Sequence, residues 1–165
     1  MIRTVNILLL LVLFSTLGLA QSDSPTVTAR ITATVEDYIE MVTLSNIDVG
    51  MIIPTEDMLR LDPRSDQGAG LILISGQKNA SAQIAFTAHV EMTNFASDIP
   101  LNVYYNISGN GENNQSASEI FTTNPMTVNL SSIGTYYLWI GCEFSLKDLV
   151  PGSYDGDFVI EVDYN

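Results

Sequence analysis

Hydrophobic and polar residues alternate along most of this chain with a period of two, the pattern of strands that bury one face and wet the other. Thr26 to Glu36 shows it cleanly, with Val27, Ala29, Ile31, Ala33 and Val35 on one side and Thr28, Arg30, Thr32, Thr34 and Glu36 on the other. Ala82 to Met92 repeats it, placing Ala82, Ile84, Phe86, Ala88, Val90 and Met92 on a shared face. The last strand, predicted over Gly156 to Tyr164, follows turn residues at Pro151-Gly152 and Asp155-Gly156. Its core set is Phe158, Ile160, Val162 and Tyr164, set against Asp157, Val159, Glu161 and Asp163, and it ends one residue before the sequence does.

Further runs rich in Thr, Val, Ile, Tyr and Phe read as strands at Tyr38–Leu44, Ile47–Ile53 (ended by Pro54), Met58–Leu61, Gly70–Ser75 and Leu101–Ile107. Glu119–Thr123, Met126–Leu130 and Thr135–Phe144 complete the set. No window shows sustained helical spacing. Many short strands separated by polar turns predict one all-β domain, an immunoglobulin-like antiparallel β-sandwich. The Gly-, Asn- and Ser-rich stretch 108–118 lacks apolar anchors and is the segment expected to move most.

The beginning of the chain changes this picture by adding a compartment. Met1 to Asn6 carries Arg3, Ile7 to Leu19 is nearly all apolar, and Gly18-Leu19-Ala20 offers small residues at a cleavage site. This predicts a signal peptide over residues 1–20, cut between Ala20 and Gln21, with an uncleaved anchor as the competing reading. The expected location is therefore the periplasm, the cell surface or the extracellular space, with no membrane association once the leader is gone. Net charge is −13, and loss of Arg3 makes it one unit more negative. Such acidity disfavours nucleic acid and anionic lipid surfaces as partners.

Candidate chemistry is sparse. His89, the single histidine, falls on the polar side of its predicted strand with Gln83, Ala85, Thr87 and Glu91, which points to solvent rather than to a general base. Cys142 is the single cysteine and sits in the apolar run Leu138-Trp-Ile-Gly-Cys-Glu-Phe144, so no intrachain disulfide forms and an inert thiol is expected. One His and one Cys do not make a zinc site. Asp62, Asp66, Asp155 and Asp157 offer only oxygen ligands without an EF-hand spacing, and the mixed charges of Arg60–Asp66 are expected to pair with one another. No enzymatic activity, cofactor or metal is therefore predicted. Asn-x-Ser sequons stand at Asn79, Asn106, Asn114 and Asn129, and Tyr104-Tyr105 and Tyr136-Tyr137 are each expected to split, one ring inward and one outward.

Several segments carry a resemblance. Leu44-Ser-Asn-Ile-Asp-Val-Gly50, Leu138-Trp-Ile-Gly141, Leu149-Val-Pro-Gly-Ser-Tyr-Asp-Gly156 and Phe158-Val-Ile-Glu-Val-Asp-Tyr164 resemble a family of small exported bacterial domains of unknown function, related to spore-coat protein U and Mat-type fimbrial subunits. The penultimate tyrosine, and the alternating strand that follows the leader, are similar to fimbrial subunits of the chaperone–usher type. That resemblance implies a pilin-like sandwich and a surface or fimbrial role by strand complementation. Val27, Ala29, Ile31, Ala33 and Val35 would then enter the groove of a neighbouring copy or another pilin-like subunit, after delivery by a periplasmic chaperone. The alternative is a self-completed monomer that binds a carbohydrate or another surface ligand. Sequence demands the same alternation of both.

Overall fold

The structure is a computed structural model that describes residues 38–48, 57–95 and 97–165. All of them belong to one unit, 36–165. The predicted leader with Ala20 and Gln21, the donor strand Val27–Val35 and most of the strand predicted over Ile47–Ile53 lie outside the described residues.

Ten strands are described: β1 (Glu40–Ser45), β2 (Met58–Leu61), β3 (Gly70–Ser75), β4 (Ser81–Phe86) and β5 (His89–Asn94) come first. β6 (Ser97–Asn110), β7 (Glu119–Ile120), β8 (Met126–Asn129), β9 (Thr135–Ser145) and β10 (Ile160–Tyr164) follow. They form an antiparallel sandwich of the immunoglobulin-like kind. The larger sheet runs β1-β3-β9-β6-β5, with β2 added to β9 and β7 to β6; the smaller is β10-β4-β8.

β9 is the spine of the larger sheet. Its first half pairs with β3 and its second with β2, while β6 runs along its whole other side. Gly141 marks the change of partner. A Cβ there would collide with the Leu61 carbonyl oxygen and the Asn106 side chain, so only glycine lets β2 and β6 close on the spine together.

The inner faces bury Ile74, Ala82, Ile84, Ile107, Leu138 and Ile140 between the sheets. A second cluster, Leu61, Leu101, Val103, Cys142 and Phe144, lies further along the larger sheet and packs against Leu146, Leu149 and Tyr154 of the connection that leads to β10. The outer face of the larger sheet carries two folded-down loops. Pro63 is fully buried there, and Gln115 Nε2 donates to the carbonyl oxygens of Pro63 (3.0 Å) and Asp66 (2.9 Å).

Four expectations need correction. The alternating run 82–92 is not one strand: β4 belongs to the small sheet and β5 to the large one. The change occurs between Thr87, whose N–H donates to Val159 O, and Ala88, whose carbonyl oxygen accepts from Tyr105 N. Both strands face one interior, but burial breaks at the crossing: Ala88, expected on the inner face, is exposed while Thr87 is half-buried.

Segment 108–118 is anchored rather than loose. β6 extends to Asn110, Asn114 caps a 3-10 turn at Gln115–Ala117, and the buried Ser118 hydroxyl donates to the buried Ser108 at 2.8 Å. Small polar residues hold this segment through hydrogen bonds where apolar anchors are missing.

The charges of Arg60–Asp66 do not pair among themselves. Arg60 reaches Glu143 across the β2–β9 ladder at 2.6 Å, while Asp62 and Asp66 accept backbone N–H groups of their own turn. Finally, regular pairing of the last strand begins only at Ile160. Asp155 instead bridges Thr93 of β5 by two 2.9 Å bonds.

Candidate functional site

The sandwich is unequal, and its inequality falls at β10. The small sheet ends there, so one edge of β10 pairs with β4 while no strand among the described residues pairs with the other. Phe158, Ile160, Val162 and Tyr164 point inward and are half-buried; Val159, Glu161 and Asp163 are exposed. Across the gap stands β1, whose six residues are all exposed although Met41, Val42 and Leu44 are apolar. Between β10 and the β1–β3 edge lies a groove of about 440 Å³. Met41, Ile47, Ile72, Ile140, Phe158 and Ile160 make its walls apolar.

Beyond the groove, at the C-terminal end of β10, stands Tyr164. Its hydroxyl donates to Tyr38 O at 3.0 Å and accepts from Gln77 N at 2.7 Å, with the ring tucked beneath Gly76. The tyrosine singled out in the sequence thus ties the start of β1, the end of β3 and the end of the chain together. Phe158 lies towards the other end and stacks on Tyr105 with ring centroids 4.2 Å apart.

Cys142 and His89 are not brought together. Cys142 lines the inner face of the large sheet, whereas His89 is exposed on the outer one. Burial pushes the Cys142 thiol up to about 11, which leaves it protonated and a slow nucleophile at neutral pH. His89 stacks on the exposed Tyr104 at 4.7 Å and its Nε2 meets Asn102 Oδ1 at 2.8 Å. That small polar platform has no enclosing wall. Among the described residues, no three His, Cys, Asp or Glu side chains gather as a metal site, and no helix is long and apolar enough to cross a membrane.

Tyr104 and Tyr136 take opposite roles from their neighbours. Tyr104 is exposed beside half-buried Tyr105, and Tyr136 is buried beside Tyr137. Burial first, then Glu119, raises the Tyr136 hydroxyl to about 12. Of the four sequons, Asn114 is used as a cap and Asn106 turns its oxygen into the protein; Asn79 and Asn129 are exposed. Sequence reading found Phe158 and the three inward-facing β10 residues but not the groove, because its walls come from β1, β3 and β9. The one available signal was the unbroken apolar run Leu71-Ile-Leu-Ile74, which marks a strand with apolar side chains on both faces. Compared with protein families and with curated proteins, the chain matches none.

Proposed function

We propose that this chain is a non-enzymatic assembly subunit, exported to the periplasm or cell surface, whose small sheet is completed by a strand from a neighbour. The observation that carries this reading is an edge of β10 that no strand among the described residues pairs, beside an apolar groove. An edge of unpaired N–H and C=O groups is a template for another strand, and apolar walls favour alternate side chains. The donor is Thr26–Glu36, which presents Val27, Ala29, Ile31, Ala33 and Val35 on one side. Burying these five side chains contributes on the order of 5 kcal/mol before ordering costs. The partner is a second copy or a related pilin-like subunit, with a chaperone to hold the groove before assembly. The family resemblance in β10 and in the donor segment points the same way.

A self-completed monomer is the competing reading, and one observation favours it. Tyr38, bonded to Tyr164, sits at the C-terminal end of β10 and follows the last residue of the candidate donor by two positions in the sequence. A segment ending at residue 36 that folded back along β10 would run in the direction of β10 itself. A neighbour's strand is free to run antiparallel, the slightly stronger pairing. Deleting residues 21–36 separates the two. Loss of oligomer ladders on gels of unboiled samples, with the domain still folded, supports donation. Loss of the fold in a protein that never formed ladders supports self-completion and ends the assembly reading.

A further inference from the structure

Beneath the second core cluster lies a larger space that strand complementation does not use. It measures about 690 Å³, within the range of roughly 300–1,000 Å³ typical of small-molecule sites. Leu101, Val103, Cys142 and Phe144 of the large sheet form its floor, and Leu149 and Tyr154 of the β9–β10 connection form its roof. Among the described residues it shares only Ile47 with the groove at β10.

Three features make this a built cavity rather than slack packing. The roof is pinned at both ends: Leu146 N donates to Asp57 O at 2.9 Å, and Asp155 is bonded to Thr93 by two 2.9 Å contacts. Tyr154 braces the roof from within, because its hydroxyl donates to Val150 O at 3.0 Å. The connection therefore cannot settle onto the floor without breaking backbone hydrogen bonds. Among the described residues the walls carry no ionised side chain, so water entering the space finds few partners there. The Tyr105 hydroxyl is the polar handle. Its ring is fixed by the stack on Phe158, and no described residue hydrogen-bonds that hydroxyl. Burial raises the Tyr105 and Cys142 pKa values.

We propose that this cavity binds a neutral, hydrocarbon-rich small molecule whose single hydroxyl or carbonyl group meets the Tyr105 hydroxyl. Neutrality follows from the lining: a carboxylate or ammonium would be buried with no counter-charge, whereas an alcohol or ester needs one hydrogen bond. The idea does not rest on strand donation, and its test does not read assembly.

The full chain is titrated with the neutral fluorescent probe N-phenyl-1-naphthylamine, which is then displaced by 1-decanol or by decanoate. Alkylation of Cys142 by N-ethylmaleimide, specific to this site because the chain has one cysteine, reports occupancy of the floor. The expected result is saturable binding of one probe per chain, at least tenfold preference for decanol over decanoate, and at least tenfold slower alkylation when decanol is bound. Leu149→Trp, which fills the space from the roof, lowers probe affinity at least tenfold with the melting temperature unchanged. Should that variant fail to fold, alkylation of the unaltered chain still decides. Absence of saturable binding, an alkylation rate indifferent to decanol, or equal displacement by decanoate each overturns the proposal.

Discussion

The inner face of the large sheet is covered in two ways. In the half lined by Ile74, Ile107, Leu138 and Ile140, a second sheet lies over it, and these residues are 0–4% exposed. In the half lined by Leu101, Val103, Cys142 and Phe144, the cover is an irregular connection held by a few hydrogen bonds. Those residues stay 3–9% exposed, and 690 Å³ of space remains below the cover. A pleated sheet matches side chains to side chains along its length, while a connection pinned at two points spans the gap between them. Close packing therefore belongs to the first half and ligand-sized space to the second.

The largest test compares equivalent truncations. Leu138→Ala in the sheet-covered half is expected to cost about 3–4 kcal/mol in urea unfolding, and Leu101→Ala about 2 kcal/mol, because the latter enlarges a space that already exists. Equal costs would erase the distinction. Gly141→Ala, at the junction of the halves, is expected to cost about 2 kcal/mol, since the added methyl meets the Leu61 backbone carbonyl as well as the Asn106 and Pro63 side chains. Tyr164→Phe removes the hydroxyl that joins Gln77 to Tyr38 and is expected to cost about 1 kcal/mol. Hydrogen exchange at Gln77 should rise with it.

Alkaline titration sharpens the comparison in the second half. The fold favours the protonated Cys142 thiol, so its contribution is complete below the ordinary value of 9.0 and is lost as pH rises towards about 11. Cys142→Ala should make the decline of stability across that window shallower, leaving the later one from Tyr136. Unchanged slopes would mean that the thiol is wet and the second half is not dry. The smallest effect belongs to neither half. Arg60→Ala breaks an ion pair on the outer face and should change stability by less than about 1 kcal/mol, because Arg60 is well exposed.

What the sequence revealed depended on whether a residue's role was local. Ile160, Val162 and Tyr164 were readable because alternation reports which face is buried, and Tyr104-Tyr105 split for the same reason. Alternation reports a face and not a sheet, which is why Ala82–Met92 hid the crossing at Thr87-Ala88. The anchoring of Gln115 and Ser118 depended on Pro63, Asp66 and Ser108, all remote in sequence from one another or from the turn. Both empty spaces share this property. Their walls gather residues as distant as Met41 and Ile160, or Met92 and Tyr154, and no window of the chain holds such a pair.

The passage from β4 to β5 also sets the mechanics of the sandwich. Two covalently joined residues, Thr87 and Ala88, clasp the layers at the β5 margin, and β1 stands at the opposite margin of the larger layer. The chain also passes between the layers at β3–β4 and β8–β9, so the two sheets are joined at several places; where β1 faces β10, the bond from Tyr164 to Tyr38 is the latch.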